Sequence, residues 1–250
     1  MNEQRKDQDK RLNSGERQVA ISLDKIEPTH IDRYKRAYTI VKNTDTVLDL
    51  GCGCGYGSVL LANKARKVIA IDDSKEAIDY ANVYWKRKNI NYLCGDVFDI
   101  KEKYDVVVAF EIVEHIKDID KLFDKFKEWT KEYLIFSVPH ISIPVKRSKW
   151  HWEHFSEKEI RNYVKKIGLE LVSLEKVPDR LNGFNLICLV RVPKEMKHGI
   201  ICPCGKMISN DDWKRRGINK ILSYNEEGKL IYQECFHGKV LINKQPKVKK

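Results

Sequence analysis

Residues 47–58, Val-Leu-Asp-Leu-Gly-Cys-Gly-Cys-Gly-Tyr-Gly-Ser, decide the fold of this 250-residue chain. Apolar residues surround Asp49, and glycine then occupies every second position, at Gly51, Gly53 and Gly55, before a helical pattern begins. A chain that leaves a buried strand and turns sharply into a helix needs glycine where φ is positive or where the backbone touches a ligand. Such a turn presents backbone N–H groups, at the positive end of a helix, to whatever fills the crevice.

Three more apolar runs end in polar residues. Residues 67–72 form a second predicted strand about twenty residues after the glycine turn, and Asp72, followed by Asp73, is placed to hold ribose hydroxyls. Residues 91–94 lead into Gly-Asp96-Val97, and residues 104–110 lead into Glu-Ile-Val-Glu-His at 111–115.

Over residues 28–193 this succession resembles the class I S-adenosylmethionine-dependent methyltransferases. The family's Asp/Glu-x-Gly-x-Gly-x-Gly loop matches Asp49 and the three glycines, its ribose-binding acid matches Asp72, and its adenine-side acid matches Asp96, with Val97 beside it. The resemblance implies S-adenosylmethionine as cofactor. No Lys-Ser/Thr pair follows the glycines, which excludes a P-loop, and their spacing differs from the Gly-x-Gly-x-x-Gly of NAD enzymes.

Strand and helix patterns alternate along the chain, which predicts an α/β fold: a doubly wound, seven-stranded, mostly parallel sheet. A capping box from Ser156 to Glu159 predicts the start of a helix. Residues 169–175 and 184–192 are predicted to form a closing antiparallel pair. The other predicted elements are helices at 28–41, 55–65, 74–87 and 117–130 and strands at 46–50, 67–72, 90–94, 104–109 and 133–138.

We predict three segments. Residues 1–27 form a flexible segment, disordered over 1–13, with a loop at 13–17 that covers the cofactor; residues 28–196 form the methyltransferase domain. Residues 197–250 form a small β-rich extension with a hairpin across residues 225–228. Four side chains of this extension form a candidate zinc site, although Cys-x-Cys is a poorer spacing than Cys-x-x-Cys: Cys202, Cys204, Cys235 and His237.

Gly-Glu-Arg17, then His30-x-x-Arg33-Tyr34, then the glycine loop, together resemble a bacterial methyltransferase subgroup. Members of that subgroup often lie among enzymes that decorate surface polysaccharides. The resemblance implies cofactor contacts for Arg33 and Tyr34, and ordinary helix packing is the alternative for both.

Methyl transfer to oxygen needs a base or a metal ion to handle the acceptor's proton. If residues 111–115 turn helically, then Glu111, Glu114 and His115 converge on one face, in a set suited to Mg²⁺ or Mn²⁺. This Glu-x-x-Glu-His resembles two O-methyltransferase groups: those of ubiquinone biosynthesis, and those that methylate the 2′-hydroxyl at small-RNA 3′ ends. In the second group a further histidine precedes the next helix by five residues, which here indicates His151 as fourth ligand, with His140 as competitor.

The same segment permits chemistry without a metal. His115, His154 or His140 would then act as a lone general base, because imidazole titrates near neutral pH. Trp150 and Trp152 fall in a predicted acceptor lid, where their rings would stack on a sugar or a base.

Composition limits the partners. The formal charge of +11 comes mainly from dispersed lysine, so nucleic-acid binding is not expected. No apolar run could span a membrane and no secretory signal opens the chain, so we expect a cytoplasmic location. The predicted function is O-methylation of a small polar acceptor or glycan precursor. RNA ribose methylation and a non-catalytic, cofactor-binding partner subunit are the alternatives.

Overall fold

The computed structural model describes residues 17–147, 150–179 and 183–193, together with four two-residue strands nearer the C-terminus. The chain divides into two compact units, residues 1–193 and residues 194–250. Of the part that the structure describes, no helix is long and apolar enough to cross a membrane.

A seven-stranded sheet forms the centre of the first unit, with strand order β3-β2-β1-β4-β5-β7-β6. Strands β1 to β5 run parallel, and β7 is antiparallel to both β5 and β6. The predicted fold class, including the antiparallel closing pair, is confirmed. The strands are β1 (Thr46–Leu50), β2 (Lys67–Asp72), β3 (Ile90–Cys94), β4 (Tyr104–Ala109), β5 (Thr130–Pro139), β6 (Glu170–Pro178) and β7 (Phe184–Arg191).

Five α-helices among the described residues follow the predicted pattern. Two of them end earlier than predicted: the helix expected over 55–65 stops at Ala62, and that expected over 74–87 stops at Tyr84. The capping box at Ser156 is present, with both of its hydrogen bonds formed. The helices are α1 (Pro28–Ile40), α2 (Tyr56–Ala62), α3 (Lys75–Tyr84), α4 (Ile119–Trp129) and α5 (Glu157–Lys166).

Each face of the sheet carries its own apolar core. One contains Phe123, Phe126 and Trp129 of α4, packed against Phe136 of β5. The other contains Tyr34 of α1, Val59 of α2 and Ala81 of α3. Helices therefore cover both faces, as parallel strands buried on two sides require.

The second unit is described only in part. Residues Ile200–Ile201 pair antiparallel with Met207–Ile208, and Ser223–Tyr224 pair with Leu230–Ile231, as the predicted hairpin requires. The candidate zinc ligands Cys202, Cys204, Cys235 and His237 lie outside the described residues, as does the segment 1–13 predicted to be disordered. Both interpretations stay predictions.

Candidate functional site

A cavity of about 1430 Å³ opens at the carboxyl ends of the central strands. It lies where strand order reverses between β1 and β4, the place at which doubly wound sheets bind ligands. Most of the predicted site residues line it: Arg33, Tyr34, Gly51, Gly53, Asp72, Asp73, Asp96, Val97, Glu111 and His115. Asp49, Gly55, Glu114, His140, His151 and His154 are not in its lining.

The glycine turn forms the floor of the cavity. Gly53 has φ 53°, and a Cβ placed there would meet no atom of the described residues within 4 Å, so the backbone is open to a ligand. Gly55 has φ 91°, and a Cβ there would lie 2.7 Å from Cβ of Ala81, so close packing of α2 on α3 excludes any side chain. The turn therefore needs glycine at Gly53, where a ligand can approach the backbone, and at Gly55, where two helices pack closely.

Asp49 supports the turn from beneath. Its side chain is fully buried and accepts hydrogen bonds from the hydroxyls of Ser58, at 2.6 Å, and Tyr34, at 3.1 Å. Burial raises the pKa of Asp49 to about 7. Asp49 thus orders the loop and the Tyr34 ring without lining the cavity.

Asp72 stands at the end of β2 with several donors around it. Its carboxylate accepts from the backbone N–H of Gly53, at 2.9 Å, and of Ser74, at 3.0 Å. Arg17 donates to the same carboxylate at 2.9 Å and also reaches Asp73 at 3.2 Å. Asp96, at the end of β3, accepts from the N–H of Phe98 at 2.9 Å.

Arg33 and Glu111 meet inside the cavity. Nη2 of Arg33 lies 3.4 Å from Oε1 of Glu111, while the buried Nη1 has no hydrogen-bond partner in the part of the chain that the structure describes. Glu111 has φ 55°, and Ser137 fixes it twice. The Ser137 hydroxyl accepts from the Glu111 N–H at 3.1 Å and donates to its carboxylate at 3.0 Å.

The predicted convergence of Glu111 with Glu114 and His115 is wrong. Because Glu111 is left-handed, the short 3₁₀ turn Val113–His115 starts after it, and its carboxylate points to Arg33 and Ser137. Glu114 and His115 do come together, and the third member of their group is His151, with ligand atoms all within 4.8 Å of one another.

Two backbone hydrogen bonds bring His151 across the cavity mouth. The N–H of Trp152 donates to the carbonyl of Glu114 at 2.8 Å, and the N–H of Phe155 donates to the carbonyl of Pro139 at 2.9 Å. The segment 150–155 is therefore fixed at one end to the turn that carries His115 and at the other end to β5.

In both histidines of this group, Nδ1 contacts another polar group. Nδ1 of His115 lies 3.1 Å from the carbonyl oxygen of Trp150 and must donate to it. Nδ1 of His151 lies 2.7 Å from Nε2 of His154. A histidine that binds a metal ion through one ring nitrogen usually donates a hydrogen bond from the N–H of the other.

The family model described as "Methyltransferase domain" matches residues 23–174, which include β1 to β5 and the whole cavity lining from His30 onward. The chain belongs to the methyltransferase-domain family. It therefore carries an S-adenosylmethionine-dependent methyltransferase domain.

Known methyltransferases resemble this one over part of their length. The (S)-coclaurine N-methyltransferase of Papaver somniferum is 30% identical over 151 residues, 57% of this chain and 42% of that protein. The ubiquinone biosynthesis O-methyltransferase of Rickettsia typhi is 32% identical over 95 residues, 36% of this chain and 38% of that protein. The chain thus spans less than half of either relative.

A solved structure shares the fold. The magnesium protoporphyrin IX methyltransferase of Synechocystis PCC 6803, solved with S-adenosylhomocysteine bound, superposes with a TM-score of 0.58 at 18% identity. The match covers 76% of this chain and 95% of that one.

The methyltransferase cavity fits the cofactor. The open approach at Gly53 suits a ligand that lies against the backbone. At Gly95, also in the lining, a Cβ would likewise meet no atom within 4 Å in the part of the chain that the structure describes. Nη1 of Arg33, which has no hydrogen-bond partner among the described residues, suits an anionic group such as the cofactor's methionine carboxylate.

Two histidines proposed as general bases are placed elsewhere. His140 is buried and makes hydrogen bonds to Glu157, at 3.1 Å, and to the N–H of Ser142, at 3.1 Å. His154 is buried behind His151, with Nδ1 against the carbonyl of Ile143. Neither lines the cavity, so neither is placed to take a proton from an acceptor there. His115 alone of the three candidates lines it.

Sequence reasoning did not assign Ser137, His30 or Tyr56 to the site. Ser137 holds Glu111, and Nδ1 of His30 lies 3.1 Å from the Tyr56 hydroxyl at the cavity wall. The sequence did contain a signal for Ser137. It is a polar residue in the otherwise apolar C-terminal part of β5, and that end of the strand lies at the same edge of the sheet as the glycine turn.

Proposed function

We propose that this methyltransferase moves the methyl group of S-adenosylmethionine to an oxygen of a small polar acceptor, with the help of a divalent metal ion. The observation that carries this proposal is the group Glu114, His115 and His151, next to the cofactor cavity. The acceptor class is a sugar, a nucleotide sugar or a phosphate-type oxygen of a surface-glycan precursor.

The cofactor would be held by residues that line the cavity. Asp72 and Asp73 would bind the ribose, Asp96 and Val97 the adenine, and the backbone of Gly51 and Gly53 the methionine portion. Arg33 would pair with the methionine carboxylate, and Glu111, held by Ser137, would keep the guanidinium in place. Asp49, beneath the glycine turn, and Tyr34, on α1, would hold these residues in place through the hydrogen bond between them.

The ligand set fits a borderline divalent ion. One carboxylate and two imidazoles leave coordination positions open, as catalytic metal sites do, and this mixed set of nitrogen and oxygen donors suits Mn²⁺ better than Mg²⁺, which prefers oxygen ligands. A bound ion would supply Lewis acidity that lowers the pKa of an acceptor hydroxyl. An alcohol needs that help, because its proton must leave before or during attack.

The acceptor side of the cavity is aromatic and basic. Trp150 and Trp152 line it and are 52% and 61% exposed, and Nζ of Lys117 lies 5.3 Å from the Trp152 ring centre. Indole faces pack against sugar rings, and the ammonium group would attract a phosphate. These features, together with the sequence resemblance to the polysaccharide-locus subgroup, support a glycan precursor.

The test measures methyl transfer from radiolabelled S-adenosylmethionine to a panel of sugars, sugar phosphates and nucleotide sugars. EDTA should abolish transfer, Mn²⁺ or Mg²⁺ should restore it, and the affinity for S-adenosylhomocysteine should stay nearly constant. Glu114→Gln and His115→Gln should each lower the rate at least about 100-fold, since metal assistance contributes several kcal/mol.

The matched control is Glu153→Gln, which changes a carboxylate of the segment 150–155 that lies outside the ligand group. Its rate and metal requirement should equal those of the wild type. Full turnover by the EDTA-treated enzyme would remove the metal from the mechanism and leave His115 as a general base. Transfer to amines but not to any hydroxyl or phosphate would replace the O-acceptor with an N-acceptor.

A further inference from the structure

We infer that His154 is a positioning residue: it holds His151 in the one tautomer that leaves Nε2 of His151 able to bind a metal ion. The inference rests on the proposed metal-assisted function. It assigns a role to a buried histidine that does not touch the cavity.

The first step is the contact between His154 and Ile143. Nδ1 of His154 faces the backbone carbonyl oxygen of Ile143. A carbonyl oxygen only accepts hydrogen bonds, so Nδ1 of His154 carries the proton. Ile143 is itself fixed, because its N–H donates to the carbonyl of His140 at 2.9 Å and its side chain packs against Gly183.

The second step passes to His151. His154 is only 5% exposed, and in a neutral imidazole whose proton is on Nδ1 the lone pair is on Nε2. Nε2 of His154 and Nδ1 of His151 lie 2.7 Å apart, and one proton must lie between them. That proton therefore belongs to Nδ1 of His151, and the lone pair of the neutral His151 ring is on Nε2.

His115 has the same tautomer as His151, but a different hydrogen bond fixes it. Its Nδ1 donates to the carbonyl of Trp150, which leaves the lone pair on Nε2. The two rings lie edge to face, with centroids 4.8 Å apart. In both imidazoles Nε2 is thus the ring nitrogen that carries the lone pair, one ring being oriented by a backbone carbonyl and the other by His154.

Substitutions at His154 separate this role from simple packing. His154→Phe keeps a ring of similar size but removes the acceptor for His151. His154→Gln restores both functions, because its amide can donate to Ile143 and accept from His151. A matched control is Glu153→Gln, which alters the residue next to His154 and lies outside the ligand group.

Two readouts are needed. Long-range proton–nitrogen NMR spectra of the metal-free protein report the tautomer of His151, and calorimetry with Mn²⁺ reports the dissociation constant. We expect the Nδ1–H form in the wild type, its loss in His154→Phe, and a rise of about tenfold to 100-fold in the Mn²⁺ dissociation constant of that variant. His154→Gln should keep the tautomer and most of the affinity, and Glu153→Gln should match the wild type.

An Nε2–H tautomer of His151 in the wild type would overturn the inference. An unchanged tautomer and affinity in folded His154→Phe, judged by retained S-adenosylhomocysteine binding, would also overturn it. If His154→Phe does not fold, the wild-type tautomer and the His154→Gln variant still decide. One outcome separates the two proposals. If the tautomer of His151 changes in the His154 variant but the protein binds no Mn²⁺, the positioning role is supported and the proposed metal is refuted.

Discussion

At the scale of single residues, Glu111 separates two sites that adjoin in the sequence. Its backbone is left-handed, a conformation that costs a non-glycine residue on the order of 1 kcal/mol or more. The two hydrogen bonds to Ser137 hold it there. Glu111 therefore forms an ion pair with Arg33 in the cavity, while Glu114 and His115 lie close to His151.

Asp49 leads to a prediction about pH. Burial raises its pKa to about 7 in the folded protein, above the ordinary value of 3.8, so the native state holds this proton more tightly than the unfolded state does. Stability contributed by the neutral acid is therefore present below about pH 4 and is lost as the pH rises to 7. Asp49→Asn should gain stability relative to the wild type over that range, by on the order of 4 kcal/mol.

Urea denaturation of both proteins at several values between about pH 4 and pH 8 measures this difference. A constant difference in unfolding free energy across the range would show that Asp49 does not titrate abnormally.

The residues that could be predicted are those whose role follows from their place in a strand. Asp72 and Asp96 follow apolar runs, and parallel strands bring their ends together, so the structure places both in the cavity. Glu111 could not be placed by the same reasoning. Its direction depends on Ser137 and Arg33, which are distant in sequence, whereas helical spacing alone suggested a shared face with Glu114.

At the scale of elements, helix α5 starts where local sequence says it should. Ser156 and Glu159 form both hydrogen bonds of the capping box, and these involve only the first turn. The 3₁₀ turn at 113–115 has no such local signal, because it is fixed by the chain on either side of it. Elements with their own caps were therefore predictable, and this short turn was not.

Ser156→Ala should lower the unfolding free energy by about 1 kcal/mol, because it removes the acceptor for the N–H of Glu159. A melting experiment should show a correspondingly lower Tm. The affinity for Mn²⁺ should not change, since segment 150–155 is anchored through Trp152 and Phe155 instead. An unaltered Tm would mean that the cap contributes nothing here.

At the scale of the whole molecule, the repeated strand–helix pattern predicted the order of secondary structure and the position of the cavity. It did not predict which distant segments close that cavity. His115 meets Trp150 across 35 residues of sequence, and Arg17 meets Asp72 across 55. Such meetings depend on the folded path of loops, for which the sequence carries no periodic signal.

The Arg17 contact has a consequence for ionic strength. A carboxylate has about four lone-pair directions, and three hydrogen bonds already reach Asp72, so two ribose hydroxyls can bind only if Arg17 leaves. Arg17 is the exposed partner of this ion pair, with 37% of its side chain accessible against 7% for Asp72, so dissolved salt weakens the pair from the Arg17 side but has little effect on hydrogen bonds from neutral hydroxyls. Adenosine, an uncharged probe that contains the ribose, should therefore bind more tightly as sodium chloride rises from about 20 mM to about 500 mM. Arg17→Gln should bind adenosine more tightly at low salt and show no such dependence, and equal salt dependence in the two proteins would mean that Arg17 does not compete for Asp72.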